Sequence, residues 1–247
     1  LKKESSIYIY NKKDYIKDII KGMLIGSIVG MLFYSSLLGV ILLLPFGFVH
    51  ARKKKIERME SQKWKLNLEF LDALYSLSAA LSSGYAAENI WREALKDLKV
   101  MYDDGNLIIQ EFRYIVERIN NNITIEEVLS EFALRTEVED ISDFCQVFLT
   151  GKSAGGNLVK IIQNTSRIIN DKVEVKREIM TLIAAKKLES RIMNIIPMAI
   201  IIYLRVFSPG FLDSLYHNVF GFLFMTIVLM IYYMAICISN KIMNIEV

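Results

Sequence analysis

Between Asn157 and Phe207 one run carries two kinds of apolar pattern. Leu158, Ile161, Ile162, Thr165, Ile168 and Ile169 recur at the spacing of one helical face, with Lys160, Arg167, Asp171 and Lys172 on the others. From Ile192 to Leu204 the polar face disappears and the run is apolar all round. That pattern predicts one helix that leaves a soluble bundle and enters a bilayer. At about 1.5 Å per residue it would span roughly 75 Å. Pro197 falls inside the apolar part and is expected to kink it or to open a fresh segment. The expectation is a rod that carries mechanical or positional information between cytoplasm and membrane.

Upstream, residues 56–190 read as a bundle of six helices, the long one being the sixth. Trp64, Leu66, Leu68, Phe70, Leu71, Leu74, Leu77 and Leu81 mark a strongly apolar helix, ended by Ser82-Ser83-Gly84. Ala86–Leu98 is the next, and Asp103-Asp104-Gly105-Asn106 is a turn. Leu107–Ile119 follows, with Ile108, Phe112, Ile115 and Ile119 on one side, and Asn120-Asn121-Asn122 breaks it. Thr124 then caps Ile125–Leu134, with Glu127 placed to close a capping box. Asp140–Thr150 is the fifth helix, ended at Gly151. A weak repeat runs through this layout. Residues 82–90 align with 120–128, each a helix end, a residue able to take positive φ (Gly84, Asn122), then a new helix. Gly156, before Leu158, is read as a third instance. Any antiparallel helix pair also needs such a turn.

Two stretches, one of them holding the apolar end of this long helix, are apolar enough for lipid. Residues 22–50 form an N-terminal membrane region behind a polar, basic segment of residues 1–21, and residues 191–240 form a C-terminal transmembrane hairpin. Gly22, Gly26 and Gly30 make a G-x-x-x-G-x-x-x-G stripe. It either lets another helix approach closely or is simply a membrane helix that contains glycines. Lysines precede this region and Arg52-Lys53-Lys54-Lys55 follows it, so both flanks look cytoplasmic. One span in which the stronger cluster wins would satisfy this, as would a hairpin bent near Phe33–Ser36, towards which the reading leans. The run is too long for a signal peptide and lacks a small-residue cleavage site. At the other end, Ser208-Pro209-Gly210 is a stop, and the connector 211–218 lacks Lys and Arg, as a non-cytoplasmic loop should. Lys186, Lys187 and Arg191 before the hairpin and Lys241 after it put both its ends in the cytoplasm. The expected fold is therefore an all-α integral membrane protein. It has a cytoplasmic six-helix bundle, an N-terminal membrane helix or hairpin and a C-terminal transmembrane hairpin, with the central domain and C-terminus cytoplasmic.

Composition narrows the function classes. In 247 residues there are 30 Lys and Arg against 27 Asp and Glu, a net charge of +3, too small to argue for nucleic acid. Three prolines and no sustained alternation argue for helix. Cys145 and Cys237 fall in different regions and are expected to be reduced thiols.

Chemistry-bearing groups are few. Gly151-Lys152-Ser153 resembles the end of a phosphate loop, but Gln146 stands where that loop needs glycine and the context is helical. Asp213 and His217, with Ser208 and Ser214 nearby, lie in a short connector with no core to fix a triad. His50 is the only other histidine, so no histidine-based metal site is expected. The acidic cluster from Glu137 to Asp143 would suit a cation or a basic partner. Arg205, late in an apolar span, must snorkel to the interface or pair, for instance with an acidic group of another membrane protein. No catalytic, cofactor or metal-ligating residue is assigned. Gly22, Gly26, Gly30, Gly84 and Arg205 are the candidate packing and partner positions.

In their order and spacing, several of these pieces carry a resemblance. They are the basic run Arg52–Lys55 after an apolar entry, Leu77–Gly84 leading into Ala87-Glu88-Asn89-Ile90, Gly155-Gly156 opening a long helix, Arg191 through Ile196-Pro197, and Ser208-Pro209-Gly210-Phe211 before a final span. The chain resembles the inner-membrane platform proteins of type II secretion and type IV pilus machines that carry the secretion F domain. It looks closest to the single-domain, TadB/TadC-like platforms of the tight-adherence (Tad) pilus. The second turn departs from the family's usual glycine with Asn122, which also tolerates the left-handed conformation. The resemblance implies a multi-pass protein of the cell's inner membrane with no enzymatic activity and no cofactor. It implies partners as well: a cytoplasmic secretion ATPase, pilin or pseudopilin subunits, and a sibling platform or a second copy of the chain. A transporter or channel subunit would want more spans and a charged path, and a membrane enzyme a cluster of titratable groups.

Overall fold

The computed structural model describes residue 8, residues 12–208, 210–212, 216 and 218–243. Among the described residues the fold is all helical, with nine helices and no strand. They are α1 (Lys12–Tyr34), α2 (Leu37–Leu43), α3 (Phe46–Ser82), α4 (Ile90–Met101), α5 (Leu107–Asn120), α6 (Ile125–Thr136), α7 (Glu139–Ser153), α8 (Leu158–Phe207) and α9 (Val219–Met243). The chain divides into two compact units: residues 1–9 with 57–175, and residues 10–56 with 176–247. It passes from one to the other between residues 9 and 10, then inside α3 and inside α8.

The first unit holds the larger core. Leu66, Phe70, Leu74 and Leu77 of α3 meet Trp91 of α4, Phe112 of α5, Phe132 of α6, and Phe144 and Phe148 of α7, all fully buried. Their rings form a continuous edge-to-face and tilted set, with Phe70–Phe144 at 5.3 Å, Trp91–Phe112 at 5.5 Å and Phe144–Phe148 at 5.6 Å between centroids. Such pairs add about 0.5–1.5 kcal/mol each beyond their buried area. The α8 stripe facing this core is Ile162, Ser166, Ile169 and Val173. Ile168, expected inside, is 53% exposed. A 3.6-residue period carries the stripe through Ser166, and one apolar side chain falls beside it.

Polar links fix the helices laterally. Asp140 of α7 accepts from Asn67 of α3 at 2.7 Å and from Lys172 of α8 at 2.6 Å. Glu137 pairs with Lys63 at 3.3 Å. The acidic run expected to suit a cation or a basic partner thus spends much of its charge inside the bundle. The capping box at α6 is half formed: Thr124 accepts from the Glu127 N–H at 3.4 Å, while the Glu127 carboxylate faces Arg118 at 3.7 Å. Tyr8 is buried in this unit, its hydroxyl donating to the Thr136 carbonyl.

The second unit begins with a helical hairpin. Ser35 takes a φ of 46° after α1, and α2 returns along α1. Gly30 faces Gly39, Gly26 faces Leu43 and Gly22 faces Gly47, so the register is antiparallel and symmetric about the Tyr34–Ser35 turn. A Cβ on any of the three would come within 2.6–2.8 Å of the opposing backbone. The glycine stripe therefore serves a close approach within the chain, along the helix that follows the bend. In the same unit α8 runs helical through Pro197 to Phe207, and no fresh segment opens at the proline. Among the described residues two helices are long and apolar enough to cross a membrane: α8, whose best window has a mean hydropathy of 1.5, and Phe220–Ile242 of α9, at 2.3.

Candidate functional site

In the first unit three helix ends share one backbone motif. After α3, Gly84 donates to Leu81 O at 2.9 Å and Tyr85 to Ala80 O at 3.2 Å. After α5, Asn122 donates to Ile119 O at 3.0 Å and Ile123 to Arg118 O at 3.2 Å. After α7, Gly155 donates to Lys152 O at 3.2 Å and Gly156 to Gly151 O at 2.7 Å. The paired long and short bonds are those of a Schellman motif, which needs a left-handed residue at the inner position. That residue is Gly84 (φ 89°), Asn122 (φ 59°) and Gly155 (φ 67°) in turn. The repeat is real in the backbone, and its third member is Gly155 rather than Gly156.

The side chains then gather the three turns together. Lys152, just before the third turn, reaches Glu88 beyond the first and Glu126 beyond the second, each at 3.1 Å. Arg92 of α4 donates to Asn120 at the end of α5 at 2.6 Å. The hydrogen bond from Lys152 holds the Glu88 carboxyl below its usual range. Glu126 is lowered first by a backbone hydrogen bond and then by Lys152. The lysine that resembled a phosphate-loop residue is engaged by two carboxylates, in a helical context.

A second polar cluster lies between α5 and α6. Glu111 is buried and takes a hydrogen bond from Arg135 at 2.7 Å. Burial raises its carboxyl above the ordinary range, and Arg135 opposes that rise. The Arg135 guanidinium stacks 4.1 Å from the Tyr114 ring centre, and Tyr114 and Arg118 both donate to Glu131. Cys145 is buried, which pushes its thiol up to about 12 and leaves it a packed, unreactive group. An open groove between α3 and α8 is lined by Tyr75, Ser78, Gln163, Ser166, Arg167 and Asn170, a set without a carboxylate or histidine. Among the described residues no group of three or more His, Cys, Asp and Glu is arranged to hold a metal.

In the second unit Arg205 has its partners within the chain. Its guanidinium donates to Met31 O at 3.0 Å and to Ser35 Oγ at 2.9 Å, and Tyr216 donates to Leu32 O at 2.8 Å. These close the carbonyl end of α1, where the helix dipole is negative; Met31 O also accepts from the Ser35 N–H at 3.1 Å. Tyr34 meets Thr226 of α9 at 2.9 Å nearby. Sequence reasoning singles out Arg205 because a charge sits in an apolar run. It gives no sign that the partner is a helix end some 170 residues earlier. Of the five candidate positions, Gly22, Gly26 and Gly30 pack against α2 and the start of α3, Arg205 caps α1, and Gly84 shapes the first of the three turns. Asp213, Ser214 and His217 lie outside the described residues, as does Pro209.

The family model for type II secretion system (T2SS), protein F, matches residues 73–204 of the chain. No curated protein and no solved structure matches it at a significant level.

Proposed function

Because the chain belongs to the type II secretion system protein F family, we propose that it is the inner-membrane platform of a Tad-type pilus or of a type II secretion-like machine. In this reading the bundle of residues 57–175 engages a cytoplasmic secretion ATPase. The helices of the second unit lie in the bilayer, beside the pilin or pseudopilin subunits that are lifted out of it. The N-terminal hairpin counts as membrane-embedded here, with its basic flanks and the C-terminus cytoplasmic. A sibling platform or a second copy completes the assembly. The role is mechanical and not catalytic.

The observation that carries the reading is the extent of the family relationship. It begins inside α3, takes in all three turns and ends in the apolar half of α8. The relationship thus covers both a charged bundle and the helix that leads towards lipid. Two features of the chain agree. The one lysine in a context like a phosphate loop is bound to Glu88 and Glu126, which agrees with a reading in which a partner supplies nucleotide energy. Two of the three passages between the units, in α3 and in α8, fall inside helices, which transmit displacement better than flexible linkers.

The test is deletion of the gene, followed by electron microscopy and immunoblotting for surface filaments, with complementation. Filaments are expected to vanish while prepilin and ATPase remain in the cell, and to return with the restored gene. Normal filaments in the deletion strain would overturn the reading.

A further inference from the structure

Charge is divided between the units far more unevenly than the net value suggests. The first unit carries 15 Lys and Arg against 21 Asp and Glu, and the second carries 15 against 6. Most of that basic surplus lies in four places: the start of α1 from Lys12 to Lys21, the Arg52–Lys55 run of α3, Lys186 to Arg191 of α8, and Lys241 of α9.

Contacts inside the second unit bring these four places to one end. Gly22 lies against Gly47 and His50, which sets Lys17 and Lys21 level with Arg52–Lys55 in an antiparallel pair. The Phe46 ring meets Tyr233 of α9 at 6.3 Å, so α9 continues past this pair towards Lys241. Ser190 and Ser239 meet at 2.5 Å and Tyr232 donates to Asn194 O, which sets Lys186, Lys187 and Arg191 level with Lys241. The opposite end is the one closed by Arg205 on Met31 and Ser35 and by Tyr34 on Thr226. Lys17, Lys21, Arg52, Lys53, Lys187 and Lys241 are all exposed.

We propose that this basic end holds the headgroups of anionic phospholipids. The inference rests on the reading that the second unit is membrane-embedded. The charge complements a phosphate-bearing surface, and its distribution favours lipid over a protein partner. A docked protein would need the cations gathered on one face. Here they are spread over four helices at one depth, next to apolar lengths of α8 and α9 that are exposed for many residues. A headgroup layer meets all four at once. Juxtamembrane clusters of four or more Lys and Arg bind such layers, at about 1 kcal/mol per residue near the surface.

The experiment uses the full chain, purified in detergent mixed with equal amounts of phosphatidylglycerol and phosphatidylcholine. Co-purifying lipid is then counted by mass spectrometry. Phosphatidylglycerol is expected to be enriched about fivefold or more, as even one well-placed cation would give. The enrichment should collapse at about 1 M salt, where the screening length is about 3 Å. The variant R52Q/K53Q/K54Q/K55Q should lose most of it, and K65Q/K96Q/K99Q in the other unit should keep it. A bulk lipid ratio on the wild-type chain overturns the proposal, as does enrichment that survives high salt. Resistance of the membrane fraction to alkaline carbonate is measured separately. A chain that resists carbonate without lipid preference disproves only the headgroup site, whereas a chain stripped by carbonate disproves the membrane reading beneath it. Should the fourfold variant not fold, the salt dependence of the wild-type chain decides.

Discussion

Glu111 is the most buried carboxylate among the described residues. Its side chain is 3% exposed, and its one strong partner, Arg135, is 27% exposed. A carboxylate taken out of solvent survives there because the guanidinium offsets part of its desolvation. Replacing Arg135 with Met keeps much of the packing on Tyr114 and removes the charge. The expected loss at neutral pH is about 3 kcal/mol, as for other broken buried pairs. The sign of its pH dependence follows from the raised carboxyl of Glu111. Protonated Glu111 is tolerated by the fold, so its contribution is intact below the ordinary carboxylate range and declines as pH rises through the raised value. Without Arg135 that decline extends to higher pH. Thermal melts of the two proteins should therefore lie closer together at about pH 5 than at pH 8. A gap that stays constant or widens on acidification would refute this account. The double variant E111Q/R135M should recover part of the loss, because no charge is then buried.

At the scale of the element, the three Schellman turns explain why one helix pair follows another with so little chain between. Gly84 sits at φ 89°, and a Cβ added there would meet nothing within 4 Å, so only backbone strain opposes a side chain. Gly84→Ala is expected to cost about 1–2 kcal/mol. Gly105→Ala, equally open and without positive φ, should change stability by less than about 0.5 kcal/mol. Equal denaturation midpoints for the two variants would show that the first turn relaxes at no cost. Much of this layout is legible in the chain. Periodicity marks α4 to α7 to within a few residues, and Gly84 and Asn122 declare their turns because few residues tolerate the left-handed region. The third turn offers two adjacent glycines, and only the hydrogen-bond spacing from Gly151 and Lys152 selects Gly155. Periodicity misplaces Ile168 in the α8 stripe because hydrophobicity alone cannot see that Ser166 faces inward. The glycines of α1 announce a groove, but sequence does not say what fills a groove. Here it is the returning chain, and a contact of that kind depends on where the bend falls.

At the scale of the whole molecule, the two units differ in the solvent each requires. The first has its own aromatic core and a polar exterior held by ion pairs, while α8 and α9 of the second expose apolar side chains along most of their length. Residues 57–175 carry 13 Lys and Arg against 20 Asp and Glu, enough net negative charge to oppose aggregation. A fragment of these residues is therefore expected to be soluble, helical and cooperatively folded without lipid or detergent. It lacks Tyr8, whose buried ring and bond to Thr136 belong to the same core, so it should melt below a version in which residues 1–9 are joined to it. Sedimentation and circular dichroism on the fragment decide the matter. A soluble fragment with a sharp melt would mean that the bundle folds as a body and can present its three-turn end to a partner. A fragment that pellets, or melts without cooperativity, would mean that α3 and α8 need their continuations to hold the core. The bundle could not then be treated as a separate part of the protein.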